Sequence, residues 1–119
     1  MVIVAVQSSS GPGYRTVVEA HSVGEVERVG SSGFANTDLQ LHLTQRGISH
    51  LVLIGMRANT CIDTTARYAQ ELGYHVTLIR DAIGTFSALE INATFELFAP
   101  TYAQQISTSA EFIKALGGP

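Results

Sequence analysis

The most constraining feature of this sequence is a strand, helix and strand pattern in its central part. Residues 50–54 read His-Leu-Val-Leu-Ile and end at Gly55, which is typical of a parallel strand covered on both faces. Residues 61–72 repeat apolar side chains at helical spacing and stop at Gly73, and residues 75–79 form the next strand. Because two parallel strands need a long crossover, this pattern predicts a right-handed crossover unit and a parallel sheet.

Further elements are predicted on both sides of this unit. The β-branched run at residues 2–6 predicts a buried strand, and weaker signals indicate strands at residues 16–21 and 101–106. Three capping boxes predict helix starts, at Thr37 with Gln40, at Ser87 with Glu90 and at Thr108 with Glu111. We expect the first helix to cover about residues 38–46 and the second to end at Pro100. Together these elements predict an α/β protein with a three-layer α/β/α, Rossmann-like fold, a mainly parallel sheet and helices on both faces.

Length and composition limit the classes of protein that fit. With 119 residues, of which 45% are hydrophobic and 14% charged, the chain is expected to form one globular domain over residues 1–119. The net charge of −3 lacks the basic excess that phosphate binding requires, so nucleic acid is not an expected partner. The apolar start is far shorter than the ~20 residues that cross a bilayer, and no basic residue precedes it. We therefore expect no membrane partner and a cytoplasmic location.

The cysteine and histidine positions argue against a metal centre. Cys61 is the only cysteine of the sequence, which excludes an intrachain disulfide and a thiolate-pair site. No two histidines have the i, i+4 spacing of a helical metal site, so we expect neither a metal nor another cofactor. His50 and His75 begin their strands, about 17 Å from Cys61 at ~3.3 Å per residue, and neither is expected to act as its base.

Cys61 stands where an open parallel sheet places its ligands. Residues 55–61 leave the carboxyl end of the central strand and deliver Cys61 to the start of the next helix. The unpaired N–H groups and the positive end of the helix dipole there favour a thiolate, as a nucleophile needs. The alternative interpretation is a small buried side chain, since free cysteines are among the most buried residues.

Two aspartates lie near this region. Asp81 follows the strand at residues 75–79, at the same sheet edge as Cys61, where it could orient a group or act as an acid. A carboxylate in such a place more often caps neighbouring backbone N–H groups, and we favour that interpretation. Asp63 should point away from Cys61 and complement the helix N-terminus.

Several stretches match one family pattern in order and at the right spacings over about residues 26–116. They are Ser32-Gly33-Phe34-Ala35-Asn36-Thr37-Asp38-Leu39, Gly47-Ile48, Leu51-Val52-Leu53-Ile54-Gly55-Met56, Cys61-Ile62-Asp63-Thr64-Thr65-Ala66-Arg67, Glu71-Leu72-Gly73-Tyr74, Asp81-Ala82 and Pro100-Thr101-Tyr102-Ala103. The chain thereby resembles the isochorismatase-like cysteine hydrolases, the superfamily that also holds nicotinamidases and N-carbamoyl amide hydrolases.

This resemblance implies a fold and a set of site residues. The family fold is a parallel sheet with helices on both faces, and its catalytic triad is Asp, Lys and Cys. The resemblance implies that Cys61 is the nucleophile and that the backbone N–H groups of Arg57 and Cys61 form the oxyanion hole. It also implies a cis peptide at Met56–Arg57 and contacts of Phe34, Met56 and Thr60 with a small-molecule substrate.

The chain departs from the family pattern on its N-terminal side. Arg28 stands at the place of the family lysine and can position a substrate, although it cannot give up its proton as a lysine can. No aspartate precedes Asp38: Ala5 stands at the place of the family aspartate if residues 2–7 are the first family strand, and otherwise that strand is absent. Because family members are longer on the N-terminal side of Phe34, the resemblance implies a truncated domain without the N-terminal strand and helix of the family. A sheet that lacks a strand leaves an uncovered edge, so we expect a homo-oligomer.

Three functions remain open at this point. The leading interpretation is a hydrolase of a small amide, carbamoyl or vinyl-ether substrate, with Cys61 as nucleophile and Arg28 as the second catalytic residue. The alternative is a catalytically degenerate family member that binds a small ligand or forms an oligomer, which the loss of the family Asp and Lys favours. A thiol redox sensor is the third interpretation, and it needs an external thiol.

Overall fold

The computed structural model describes residues 2–8, 14–18, 32–35 and 37–115. The elements of this part of the chain are β1 (Val2–Ser8), β2 (Tyr14–Val18), α1 (Leu39–Gln45), β3 (His50–Met56), α2 (Asp63–Glu71), β4 (His75–Gly84), α3 (Ala88–Ala93), α4 (Ala99–Tyr102), β5 (Gln105–Ser107) and α5 (Ser109–Ala115). Two π-helical turns join them, Ala58–Ile62 before α2 and Thr94–Phe98 between α3 and α4.

The five strands form one sheet in the order β2-β1-β3-β4-β5. β3, β4 and β5 are parallel, with Leu53 opposite Leu78 and Leu78 opposite Ile106. This confirms the predicted crossover unit and the parallel sheet at the centre. β1 is antiparallel to both β2 and β3. The short connection at residues 9–13 explains the first of these pairings, because it cannot supply the crossover that a parallel pair needs.

Helices cover both faces of the sheet, as predicted. Leu51 and Leu53 point into the larger core, which they share with side chains from α1, α2 and α4. Their neighbour Val52 points to the other face, where Ile79 and Phe112 of α5 pack against it. Alternate residues of β3 thus pack into the cores on opposite faces of the sheet, which is why this strand is an unbroken apolar run.

The helix ends follow the sequence signals in most places. Gly47 and Gly73 follow α1 and α2 with φ of +65° and +92°, a region that favours glycine. The box at the start of α5 is reciprocal: Thr108 N–H donates to the Glu111 carboxylate at 2.9 Å, and Glu111 N–H donates to the Thr108 hydroxyl at 3.2 Å. Ser87 also caps α3, since its hydroxyl accepts from Glu90 N–H at 3.2 Å.

Two predictions about helix ends are wrong. The reciprocal box at Thr37 does not form: the Thr37 hydroxyl accepts from Leu39 N–H at 3.3 Å, but the Gln40 side chain accepts a hydrogen bond from the Tyr74 hydroxyl at 2.7 Å instead of reaching back to Thr37. Pro100 does not end the second helical segment, which continues to Tyr102. Pro100 lies in the first turn of α4, where its missing N–H is not required.

The stacked rings of His50 and His75 at the start of β3 and β4 lead to a testable prediction about pH. Their centroids are 4.5 Å apart. Burial lowers the pKa of both imidazoles below 6.5, and the charge of His75 lowers the pKa of His50 further. The folded protein therefore binds fewer protons than the unfolded chain as the pH falls below 6.5, and we expect its free energy of unfolding to decrease from pH 7.5 to pH 5.5.

Urea unfolding at each pH measures this decrease, and His50→Phe should make it smaller. His42, which lies on α1 outside the stacked pair, is the control position, and His42→Gln should leave the decrease in place. An equal pH dependence of the free energy of unfolding in wild type and His50→Phe would contradict the assignment of this decrease to the stacked histidine pair.

Candidate functional site

The connection from β3 to α2 carries Cys61. The Met56–Arg57 peptide is cis, which confirms the expectation from the resemblance. The Arg57 carbonyl accepts from the N–H groups of Thr60 at 3.2 Å and Ile62 at 3.1 Å, and these bonds close the π-helical turn. The sequence predicts Cys61 in the first turn of α2, and this is wrong. Cys61 lies in the wider turn before α2, because helical winding already begins at Ala58.

Cys61 is partly accessible. Its neighbours in the turn, Ala58 and Ile62, are fully buried, whereas Cys61 is half-buried. The Thr60 hydroxyl lies 3.8 Å from the Cys61 sulfur, within reach of a hydrogen bond to sulfur. The packing of Ala58 and Ile62 thus holds the turn against the core, while Cys61 between them is only partly buried.

A network of four side chains, which we name the Arg57 clamp, ties this turn to the end of β4 and the start of α3. Its members are Arg57, Asn59, Thr85 and Glu90. Glu90 Oε1 accepts from Arg57 Nη2 at 2.6 Å and from Asn59 Nδ2 at 3.1 Å. The Thr85 hydroxyl donates to Asn59 Oδ1 at 2.8 Å and accepts from Arg57 Nε at 3.3 Å.

The electrostatics of the Arg57 clamp favour an ion pair between Arg57 and Glu90. The hydrogen bond from Arg57 and then that from Asn59 hold the pKa of the Glu90 carboxyl below its usual value. The Arg57 guanidinium also lies 4.3 Å above the centroid of the Phe86 ring, a cation–π contact. At neutral pH the guanidinium is therefore paired with a carboxylate and covered on one side by an aromatic ring.

The sequence interpretation missed the roles of Glu90 and Thr85. Glu90 was assigned only to a capping box, although its carboxylate reaches across to Arg57. A signal for this contact does exist, because Arg57 follows β3 and Glu90 follows β4, and parallel strands bring their carboxyl ends to one sheet edge.

The proposed substrate contacts lie in different environments. Phe34 is only 4% exposed and stacks on Tyr68 and Tyr74, with centroid distances of 5.6 and 5.9 Å. Gly33 N–H donates to the Thr65 hydroxyl at 3.0 Å, so the segment of Phe34 lies against the helix that follows Cys61. Met56 is 50% exposed at the end of β3. Arg28 lies outside the described residues.

The two aspartates that the sequence predicts near the site have structural contacts. Asp81 accepts from Ser109 N–H at 2.7 Å and from the Ser109 hydroxyl at 2.6 Å, and these bonds lower its pKa, the hydroxyl contributing most. The capping interpretation of Asp81 is therefore confirmed, and the capped helix is α5. Asp63 lies in the first turn of α2 and forms an ion pair with Arg67 one turn further on.

Two kinds of feature are absent from the part of the chain that the structure describes. No helix there is long and apolar enough to span a bilayer. No cluster of three or more histidine, cysteine or acidic side chains there could hold a metal ion.

Comparisons with known proteins place these features in a family context. Residues 12–110 match the family model of the Isochorismatase domain. The uncharacterized isochorismatase family protein YwoC of Bacillus subtilis (strain 168) is 41% identical over 81 residues, which are 68% of this chain and 42% of YwoC. The ureidoacrylate amidohydrolase RutB of Variovorax paradoxus (strain S110) is 32% identical over 84 residues, covering 71% of this chain and 33% of RutB.

A solved structure shows the same fold. The isochorismatase family protein from Burkholderia thailandensis superimposes with a TM-score of 0.74 and 33% identity, over 77% of this chain and 48% of that protein. The chain thus spans half or less of the length of the relatives that it matches.

Proposed function

The chain belongs to the isochorismatase family, and from this membership we propose that it is a cysteine hydrolase that acts on a small amide, carbamoyl or vinyl-ether substrate through Cys61. The observation that carries the proposal is the position of the half-buried residue Cys61 in a turn at the carboxyl edge of β3. Of the three substrate classes we favour an amide or carbamoyl group, since the relative RutB is named an amidohydrolase.

The proposed reaction has two steps. The Cys61 thiolate attacks the carbonyl carbon, the C–N bond breaks, and the amine leaves with a proton taken from solvent, which gives a thioester from an amide or a thiocarbamate from a carbamoyl group. Water then attacks this intermediate and releases the acid and the thiol, and the thiol returns its proton to solvent. The N–H groups of Arg57 and Cys61 are the proposed donors to the oxyanion in both steps, and Phe34, Met56 and Thr60 remain the proposed substrate contacts.

A second candidate function is that of a degenerate family member which binds a small ligand without hydrolysis. The feature that favours it is Arg28 at the place of the family lysine, because an arginine does not give up its proton.

The pH dependence of Cys61 alkylation by iodoacetamide, combined with a hydrolysis screen of small amides and carbamoyl compounds, tests the hydrolase. Because the sequence has one cysteine, each alkylation event reports on Cys61 alone. Fast alkylation below neutral pH together with turnover in the screen supports the hydrolase. Alkylation only on unfolding, with no turnover, supports the degenerate member.

We also propose a homo-oligomer in the cytoplasm. Support for the oligomer comes from large apolar side chains that are exposed just before α3, on α3 and on the turn after it: Phe86 at 75%, Leu89 at 80% and Leu97 at 64%. Light scattering should give a mass above the 12.7 kDa of one chain, and Leu89→Glu should lower it. Leu41→Glu, at an exposed position of α1, is the control and should leave the mass unchanged. A monomeric wild type would contradict the proposal.

A further inference from the structure

The turn that carries Cys61 depends on Arg57 for its geometry. The Arg57 carbonyl accepts both hydrogen bonds that close the turn. Arg57 and Asn59 flank the fully buried Ala58 in the chain. The side chains of both residues donate to one oxygen, Glu90 Oε1. Two of the four residues before Cys61 are therefore anchored to one carboxylate on a different element.

That carboxylate is itself held in place. Glu90 N–H donates to the Ser87 hydroxyl at 3.2 Å, and the Ser87 hydroxyl lies 3.2 Å from Glu90 Oε2. The Glu90 side chain is 27% exposed and the Arg57 side chain 32%, so the ion pair is mostly covered by protein. A charge-assisted hydrogen bond in such a place is short and directional, which suits a group that fixes a neighbouring segment.

We infer that Glu90 is a positioning residue for the proposed nucleophile: by holding Arg57 and Asn59, its carboxylate fixes the turn that aims Cys61 and the Arg57 N–H group. This inference rests on the proposed function of Cys61. Glu90 acts through the turn and not by contact with the substrate. A displacement of ~1 Å at a reacting group costs about 10²-fold in rate, so the loss of the anchor should be visible in turnover.

Two substitutions of Glu90 separate the loss of its hydrogen-bonding oxygen from the loss of its negative charge. Glu90→Ala and Glu90→Gln remove the same negative charge, but glutamine keeps an oxygen that accepts from Arg57 and Asn59. The matched control is Glu111→Ala, because Glu111 occupies the same position of a capping box at the start of α5 and binds Thr108. The control thus loses a helix-capping carboxylate without touching the turn of Cys61.

Turnover of the substrate found in the screen is the first measurement. We expect Glu90→Ala to lower kcat about 10- to 100-fold with little change in KM, because positioning acts on the reacting atoms. Glu90→Gln should recover part of this loss, because its oxygen still accepts both hydrogen bonds but without the negative charge, and Glu111→Ala should stay within about twofold of wild type. Equal losses in Glu90→Ala and Glu90→Gln, or wild-type turnover in Glu90→Ala, would overturn the inference.

Backbone hydrogen exchange provides a measurement that is independent of activity. Exchange at residues 57–62 should be about 10-fold faster in Glu90→Ala than in wild type and unchanged in Glu111→Ala. If Glu90→Ala does not fold, Glu90→Gln is compared with wild type in its place. Thr85→Val then tests the rest of the Arg57 clamp, with Thr85→Ser as its rescue, because only serine keeps the hydroxyl bonded to Arg57 and Asn59. Unchanged exchange in the folded variant would count against the Arg57 clamp.

The two kinds of failure can be told apart. If no substrate is hydrolysed but exchange at residues 57–62 responds to Glu90→Ala, the proposed function fails and the structural role of Glu90 stands. If turnover depends on Cys61 but is indifferent to Glu90, the hydrolase stands and the positioning role fails.

Discussion

Replacing Cys61 with alanine should reduce the turnover of any amide or carbamoyl substrate of this protein by about 10⁴-fold or more. The reason is that the thioester cannot form without the sulfur, and a positioned water is a far weaker nucleophile than a thiolate. The side chain is half-buried and its neighbours Ala58 and Ile62 carry the packing of the turn. Removal of one sulfur atom should therefore leave the fold intact.

Steady-state rates and thermal unfolding of the two proteins, measured side by side, check this expectation. Thr64→Ala is a suitable control, since Thr64 is an exposed residue of α2. We expect its turnover to stay near that of wild type. Turnover by Cys61→Ala within tenfold of wild type would show that another group performs the chemistry or that the activity belongs to a contaminant.

Replacing Leu53 with alanine should lower the free energy of unfolding by about 2–5 kcal/mol. Leu53 is fully buried in the larger core and pairs with Leu78, also fully buried, across β3 and β4. The substitution removes apolar area from the centre of the sheet and leaves a cavity that flanking strands cannot fill. A domain of this size has a total stability of about 5–15 kcal/mol, so the variant should be close to unfolding at physiological temperature.

Urea denaturation at pH 7.5 measures this loss. This pH lies above the range in which the stacked histidines His50 and His75 are expected to lower the free energy of unfolding. The control is Leu41→Ala, which removes the same atoms from a side chain of α1 that is 56% exposed. Its effect should stay within about 0.5 kcal/mol. A similar loss in both variants would mean that Leu53 does not occupy the core position described above.

Much of the architecture could be predicted from short sequence patterns. The apolar runs of β3 and β4, the helical spacing between them and the glycines at positions 47 and 73 all predicted elements that the structure contains. The place of Cys61 at the carboxyl edge of β3 followed from the same patterns. These signals are reliable because they arise from contacts between residues a few positions apart, or from faces that alternate along one element.

The boundaries and partners that depend on distant residues could not be predicted in this way. Pro100 was expected to end a helix, but the preceding π-helical turn places it at the start of α4, where it is tolerated. Gln40 was expected to cap α1, but the Tyr74 hydroxyl, 34 positions away, binds its side chain instead. In each case a tertiary contact or a local change of helical winding outweighed a short-range signal.

The sequence by itself determined the family resemblance, which rests on short motifs spread over about residues 26–116. It also determined the central strands and the position of the candidate nucleophile, since each of these is encoded within a segment of a few residues. Only the tertiary structure decided that β1 runs antiparallel to β3 and that Glu90 anchors Arg57. Arg57 and Glu90 are 33 positions apart, and their contact exists because parallel strands bring both carboxyl ends to the same edge of the sheet. No short sequence pattern predicts which two side chains will be in contact at that edge.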